Sequence, residues 1–446
     1  MHLWEALQAR KGEVISFVGA GGKTTAMYCL GRELVSQGWR VITTSTTMIR
    51  PPSPDQTEAL IVASNPLQLL RLTTEALRHK SLVTLASQRL EAENKLKGIE
   101  PGLTAALAHL ADAVIIEADG ARGLSLKAPA AHEPVVPLET TLFVPVVGID
   151  AVGRRLTGEV VHRPRLVAKL TGLTCGETIS ASALASLLVH QQGALKGAPA
   201  CARVTPLINK VHDESALATA RQVADQIKGN SLLDRVLIGA VVTDDPIIEC
   251  WRRVSAIVLA AGASKRFGLP KQLLPIAGTT MIEHVLNVVM ATSVNEVVVV
   301  LGHSAAQIAE RIPSDCRTAL NEAWEAGISS SIQVGLEAIA RTAEAALLVL
   351  ADQPYLTSGA LERILQAYYG STKPIVAPMY DGQRGTPVLF DRRLFSELRT
   401  LRGDVGGREV IARFAKEMTA VEMRSAEMFL DIDTPAEYEE FLARAG

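Results

Sequence analysis

The chain has 446 residues, 48% hydrophobic and 21% charged, enough for two or three domains with their own cores and too apolar for a disordered protein. Lys plus Arg (45) nearly cancels Asp plus Glu (47), so no overall field argues for nucleic acid or a membrane surface. The five cysteines, Cys29, Cys175, Cys201, Cys250 and Cys316, form no CxxC pair, which argues against a zinc ribbon or a disulfide scaffold. The opening MHLWEALQARKGEV is amphipathic and carries acid, unlike a signal peptide. No apolar run approaches membrane-spanning length, so a cytoplasmic protein is expected.

Short β-branched runs alternate with longer helical patterns throughout, which predicts an α/β fold of parallel sheets flanked by helices. In the first half strands are predicted at 13–18, 40–44, 113–118, 141–147, 205–208 and 236–242. The first runs into GAGGKTT, a strand, glycine turn and helix. In the phosphate-binding pattern G-x-x-x-x-G-K-[ST], backbone N–H groups, a lysine and a hydroxyl meet phosphates and Mg²⁺. Gly22, Lys23 and Thr24 match, with Thr25 behind them. The pattern's first glycine falls on Phe17, a departure, while Gly19 and Gly21 keep the loop small. Phosphate binding is the expected role.

Further along, AVIIEADGARG ends an apolar strand in Glu117 and Asp119, an acidic end suited to lie opposite such a loop. TTSTT, Thr43 to Thr47, offers hydroxyls to a metal ion or a γ-phosphate. In LINKVHD, Asn209 and Lys210 are weakly like the base-reading NKxD of GTPases, but Asp213 comes one place late, and a strand-end loop is the expectation. KAPAAHEP carries Lys127, His132 and Glu133. No second histidine follows at helical spacing, so no zinc site is expected. TDDPIIECWRR, 243 to 253, holds a turn signal and no obvious strand partner, and separates two domains at 1–250 and 254–446.

The second half predicts strands at 255–259, 296–301, 345–350 and 374–378. Its first strand enters LAAGASKRFGLPKQ, which brings Gly262, Arg266, Gly268 and Lys271 to the carboxyl end of a parallel strand, where open α/β sheets bind ligands. Gly262 lets main chain approach a phosphate, and Arg266 and Lys271 supply fixed positive charge. VLADQP sets Asp352 just after an apolar strand, and LDIDTPAEY brings Asp431 and Asp433. Two carboxylates from distant segments suit Mg²⁺ that also takes substrate phosphates.

LAAGASKRFGLPKQLLPIAG, NEAWEAGISSSIQVGL, LADQPYLT, GQRGTPVLF, LRGDVGGREVI and DIDTPAEY, in this order, resemble the molybdenum cofactor cytidylyltransferase family, in the MobA-like group of nucleotidyltransferases. The resemblance implies a GT-A-like, Rossmann-like domain over 254–446. It also implies Mg²⁺-dependent transfer of CMP from CTP to the terminal phosphate of molybdopterin, releasing pyrophosphate. Arg266 and Lys271 would hold the triphosphate, and Asp352 and Asp433 would hold Mg²⁺ with Asp431 in reserve. Leu259, Ala260, Ala261 and Gly262 would line the base and ribose pocket. LAAG in place of the guanylyltransferases' LAGG favours CTP over GTP. Ser329, Ser330 and Ser331 are candidates to bond base or ribose. Gln383, Gly385 and Pro387 would border the pterin, and Arg402, Asp404 and Arg408 its phosphate. His303 is left outside the catalytic set.

GAGGKTT, TTSTT, EADGARGLSLKAPAAHEPVVP and VHRP resemble the selenium-dependent hydroxylase accessory (YqeC-like) family over about 12–242. That resemblance implies a P-loop-like α/β domain, a second NTP and an apo molybdenum hydroxylase as client. Two rival readings stay open: another acceptor such as a sugar phosphate, and a nucleotide-dependent chaperone that delivers cofactor.

Overall fold

A computed structural model describes every residue except 265, 266, 277 and 446. The chain divides into two units, Met1–Trp251 and Arg252–Gly446. Among the described residues no helix is long and apolar enough to cross a membrane.

EVISFVG is buried on both faces, as a strand covered by helices on both sides must be. In chain order the strands of the first sheet include β1 (Glu13–Gly19), β2 (Val41–Ser45), β3 (Ala59–Val62), β4 (Leu82–Ala86), β5 (Ala113–Glu117), β6 (Leu142–Gly148), β7 (Leu207–Asn209), β8 (Val236–Gly239) and β9 (Ile247–Trp251). Their spatial order is β9-β8-β7-β6-β1-β5-β2-β4-β3, with Arg203–Val204 beside β6. All these pairings are parallel except β8 with β9. β1 therefore lies between β5 and β6, and the loop leaving it faces the acidic end of β5.

Helix α1 (Lys23–Ser36) follows that loop and buries Ala26, Met27, Leu30 and Leu34, which share one face at spacings of three and four. It ends because Gly38 takes a φ of +77°. Gly38 N–H and Trp39 N–H then return to the carbonyls of Val35 and Leu34 at 2.9 and 3.1 Å.

One expectation is corrected here. The IIECW stretch is not a separator but the edge strand β9, antiparallel to β8. Asp244-Asp245-Pro246 forms its turn. Ile247 and Cys250 reach the core, and Glu249 is satisfied by Arg221 and by Trp251 Nε1 at 2.7 Å. Five residues are too short a run for periodicity to separate a strand from a linker.

In the second unit the strands include β10 (Val254–Ala260), β11 (Glu296–Leu301), β12 (Arg317–Leu320), β13 (Ala345–Leu350), β14 (Ile375–Tyr380), β15 (Val388–Asp391) and β16 (Met418–Glu422). They run β12-β11-β10-β13-β15-β14, and both Gln383–Arg384 and β16 pair with β14. The sheet is mixed: β15 is antiparallel to β13 and β14, whereas β10 to β13 pair in parallel. β12 was not foreseen, because an edge strand with mostly exposed side chains carries no apolar run. A capping box of Thr280 and Glu283 starts helix α2 (Met281–Met290), and α3 (Ile328–Ala338) packs Ile332 and Leu336 on the sheet. Leu259 of β10 is in register with Leu350 of β13, so the LAAG and LADQ loops leave the sheet side by side.

Candidate functional site

In the second unit these two loops open onto a cavity of about 750 Å³. Lys271, on a short turn after the LAAG loop, donates from Nζ to Asp433 Oδ1 at 2.8 Å and forms a very short ion pair with Asp352. The amide of Ile432 donates to Asp352 O at 3.0 Å, which ties the DID segment to the end of β13. Burial would lower the Lys271 pKa, but the two carboxylates outweigh it and hold the ammonium above its usual value. Asp431 is an exposed residue whose carboxyl is nonetheless crowded by protein. That desolvation, with the charge of Asp352, pushes it up to about 6.

Leu259, Ala261 and Gly262 line the cavity, while Ala260 is buried below it and Gly268 lies outside its wall. Arg266 lies outside the described residues. Of Ser329, Ser330 and Ser331 it is Ser331 that lines the cavity. Ser330 donates instead to the carbonyls of Gly327 (2.8 Å) and Ala323 (3.1 Å) and braces the turn. Asp404 reaches the rim because Gly327 and Gly403 touch backbone to backbone. His303 stacks edge-on against Trp324 and is not in the wall.

Three buried amides went unnoticed in the sequence. Gln272 Nε2 donates to the carbonyls of Ala260 (3.2 Å) and Gly262 (3.3 Å) and so shapes the loop. Asn321 Nδ2 holds Ser330 (2.8 Å) and Ser331 (3.0 Å). Gln353 bonds the Asp431 carboxyl and, at 2.6 Å, Thr386 of the GQRGTP loop. Two of the three, Gln272 and Gln353, directly follow Lys271 and Asp352, but that adjacency does not show which carbonyls they serve.

Among the described residues no three His, Cys, Asp or Glu side chains make a closed metal cage. Mg²⁺ needs only one or two carboxylates when phosphates complete its shell. Among the described residues Asp352 Oδ1 is buried without a partner, an acceptor in want of a donor or a cation. Asp352 and Asp433 therefore fit such an ion.

In the first unit the glycine loop turns as its sequence demands. Gly19, Gly21 and Gly22 all have positive φ, and a Cβ on Gly21 would lie 2.2 Å from Gly148 N. The amides of Gly19, Ala20 and Gly21 are engaged by Asp119 (3.1 Å to both oxygens), Val146 O (2.9 Å) and Leu124 O (2.9 Å). That leaves the first-turn amides of α1, around Lys23, Thr24 and Thr25, to meet an anion. Lys23 Nζ donates to Gly19 O at 2.7 Å and pairs with Asp119 at 3.3 Å and Glu117 at 3.7 Å. Thr24 Oγ1 donates to Glu117 at 2.6 Å. Burial pushes the Glu117 carboxyl up, against the pull of Lys23 and the Thr24 hydroxyl.

The TTSTT expectation is corrected: Thr43, Thr44 and Ser45 are buried in the sheet and bond Thr84, Leu85 O and Glu117 O, and Thr46 bonds Val135 O. Those hydroxyls satisfy the strand rather than a ligand. Asn209 braces the loop through Gly21 O (2.7 Å) and Val241 N (3.0 Å), and Asp213 caps a helix at Ala216 N (2.8 Å).

Residues 15–165 match the YqeC protein family, and residues 256–419 match the MobA-like NTP transferase domain family. The chain is 34% identical over 216 residues to the uncharacterized protein YqeC of Escherichia coli K12, a match that covers 47% of this chain and 80% of that one. It is 31% identical over 194 residues to nicotine blue oxidoreductase of Paenarthrobacter nicotinovorans, covering 41% and 92%. Rv0371c of Mycobacterium tuberculosis H37Rv, solved in complex with manganese, is 28% identical and matches 43% of this chain and 98% of its own, with a TM-score of 0.37. The chain thus belongs to the YqeC family and carries a MobA-like NTP transferase domain behind its YqeC domain, a nucleotidyltransferase fused to a YqeC unit.

Proposed function

We propose that the second unit transfers CMP from CTP to the terminal phosphate of molybdopterin and releases pyrophosphate. The observation that carries this reading is the meeting of Lys271, Asp352 and Asp433 at one cavity, beside a glycine loop at the ends of parallel strands. In this reading an acceptor phosphate oxygen attacks the α-phosphorus, and the bond to the bridging oxygen breaks with its electron pair leaving on pyrophosphate. A terminal phosphate is already ionised near neutral pH, so no general base is required. Catalysis then rests on alignment and on positive charge where negative charge gathers. Lys271 carries that charge to the triphosphate, with Arg266 as its predicted companion. Asp352 and Asp433 would hold Mg²⁺, with Asp431 in reserve; the ion supplies Lewis-acid charge to the phosphates when bound. Leu259, Ala261, Gly262 and Ser331 form the nucleotide side of the cavity.

The first unit, in the same reading, binds a second NTP through Lys23, Thr24 and the start of α1, and serves maturation of a molybdenum hydroxylase client. The test supplies molybdenum–molybdopterin, Mg²⁺ and each NTP in turn and follows pyrophosphate. Release with CTP, lost in Asp352→Asn, is expected; release with GTP alone would overturn the nucleotide assignment. Identity to nicotine blue oxidoreductase supports a second reading, a redox reaction at the same cavity. That one expects electron transfer between a redox cofactor and an organic substrate, one oxidised as the other is reduced, and no pyrophosphate.

A further inference from the structure

The KAPAAHEP and VHRP segments have no part in the chemistry above, yet their charges run up to the phosphate loop. Lys127 Nζ donates to Gly120 O at 2.7 Å and pairs with Asp119 Oδ2 and Glu133 Oε2, both at 2.8 Å. Its three N–H bonds all end on protein. Arg163 grips Glu133 through both terminal nitrogens, at 2.6 and 2.9 Å. Burial would raise the Glu133 carboxyl, but the bonds and charges of Arg163 and Lys127 hold it down to about 2. The signs alternate from Glu117 through Lys23, Asp119, Lys127 and Glu133 to Arg163.

Asp119 stands between two buried lysines and is closer to Lys127 (2.8 Å) than to Lys23 (3.3 Å). A carboxylate this deep must be compensated by a partner. With Lys127 in place, Lys23 is the looser partner.

We propose that Lys127 is a positioning residue for the first unit's nucleotide: as the main counter-ion of Asp119 it leaves Lys23 available to a nucleotide phosphate, and Glu133 and Arg163 set how firmly it does so. The proposal rests on the reading that the first unit binds NTP through Lys23. Without Lys127, the Asp119 charge falls to Lys23 and holds it on the protein. Glu133 competes with Asp119 for Lys127, and Arg163 competes with Lys127 for Glu133. The effects of removal must therefore alternate in sign along the chain. A network that merely braces the fold has no reason to alternate.

The experiment titrates MgATP, MgGTP and MgCTP into the full-length protein by calorimetry, and takes the component lost in Lys23→Ala as the first-unit site. Lys127→Met is expected to weaken that component roughly tenfold or more, and Lys127→Arg to restore most of it. Arg163→Met, which frees Glu133 to draw on Lys127, is expected to weaken it. Glu133→Gln, which returns Lys127 wholly to Asp119, is expected to tighten it. Melting curves confirm that each variant is folded, and should Lys127→Met not fold, the outer pair carries the test. Unchanged binding in folded Lys127→Met overturns the proposal, as does a shift of the outer pair in the same direction. If no NTP gives a Lys23-dependent component, the nucleotide reading fails, and the proposal with it. Lys23-dependent binding that ignores Lys127 overturns the proposal alone.

Discussion

Lys271 Nζ lies 2.8 Å from Asp433 Oδ1, across 162 residues of sequence, and the same ammonium touches Asp352. One cation thus bridges the two carboxylates proposed to hold Mg²⁺. Lys271→Met should then move two quantities in opposite directions. Divalent binding, read by Mn²⁺ paramagnetic resonance, should strengthen, because the carboxylates lose a competing cation. Pyrophosphate release should fall by about 10²–10³-fold, the scale of losing one charged transition-state donor. A fall in both would show the lysine to be a support for the metal site rather than its competitor.

The serines divide by their bonds. Ser331 lines the cavity and its hydroxyl oxygen accepts from Asn321 Nδ2, an arrangement in which the hydroxyl can still donate to a bound nucleotide. Ser331→Ala should raise KM for the nucleotide several-fold while leaving the melting temperature nearly unchanged. Ser330→Ala should do the reverse, lowering stability by about 1 kcal/mol for the lost turn bonds. Steady-state kinetics beside thermal melting separates the two.

Gly21 meets the backbone of Gly148 and Val147, which has no flexible tip to swing away, and its own φ is +82°. Gly21→Ala should therefore destabilise the first unit by about 2–4 kcal/mol, more than the penalty of the positive φ alone. Urea unfolding of the full chain, followed by Trp fluorescence, gives the shift. A change below 0.5 kcal/mol (about the scatter of surface substitutions) would mean the loop relaxes around the new methyl.

Asp431 supplies a pH dependence with a definite sign. Its folded pKa of about 6 lies above the ordinary 3.8, so the folded protein binds this proton more tightly than the unfolded chain. The group's stabilising contribution is complete below about pH 4 and is lost as pH rises through 6. Comparing urea midpoints between pH 4 and 7.5, Asp431→Asn should be the flatter profile. An Asn variant as pH-dependent as the parent would place the dependence on other groups.

Much of the architecture was legible in the sequence. GGKTT and LAAG announce loops at strand ends because glycine and the end of an apolar run are local signals. Asp352 was legible for the same reason, two residues beyond a buried strand. Gln272, Asn321 and Gln353 were not, since a buried amide looks like any polar residue until the carbonyls it serves are known.

What the sequence by itself determined is the alternation of strands and helices, the two glycine loops and the residue types able to meet phosphate. Each depends on neighbours within a few positions, where periodicity and backbone preference act. Only the tertiary structure decided that Lys271 joins Asp352 to Asp433, that Lys23 shares Asp119 with Lys127, and that Ser331 rather than Ser330 faces the cavity. It also decided that Thr43, Thr44 and Ser45 are buried and that Ile247–Trp251 closes the first sheet. Most of these facts arise from strand order and register, which bring together residues as far as 162 positions apart and leave no trace in local pattern.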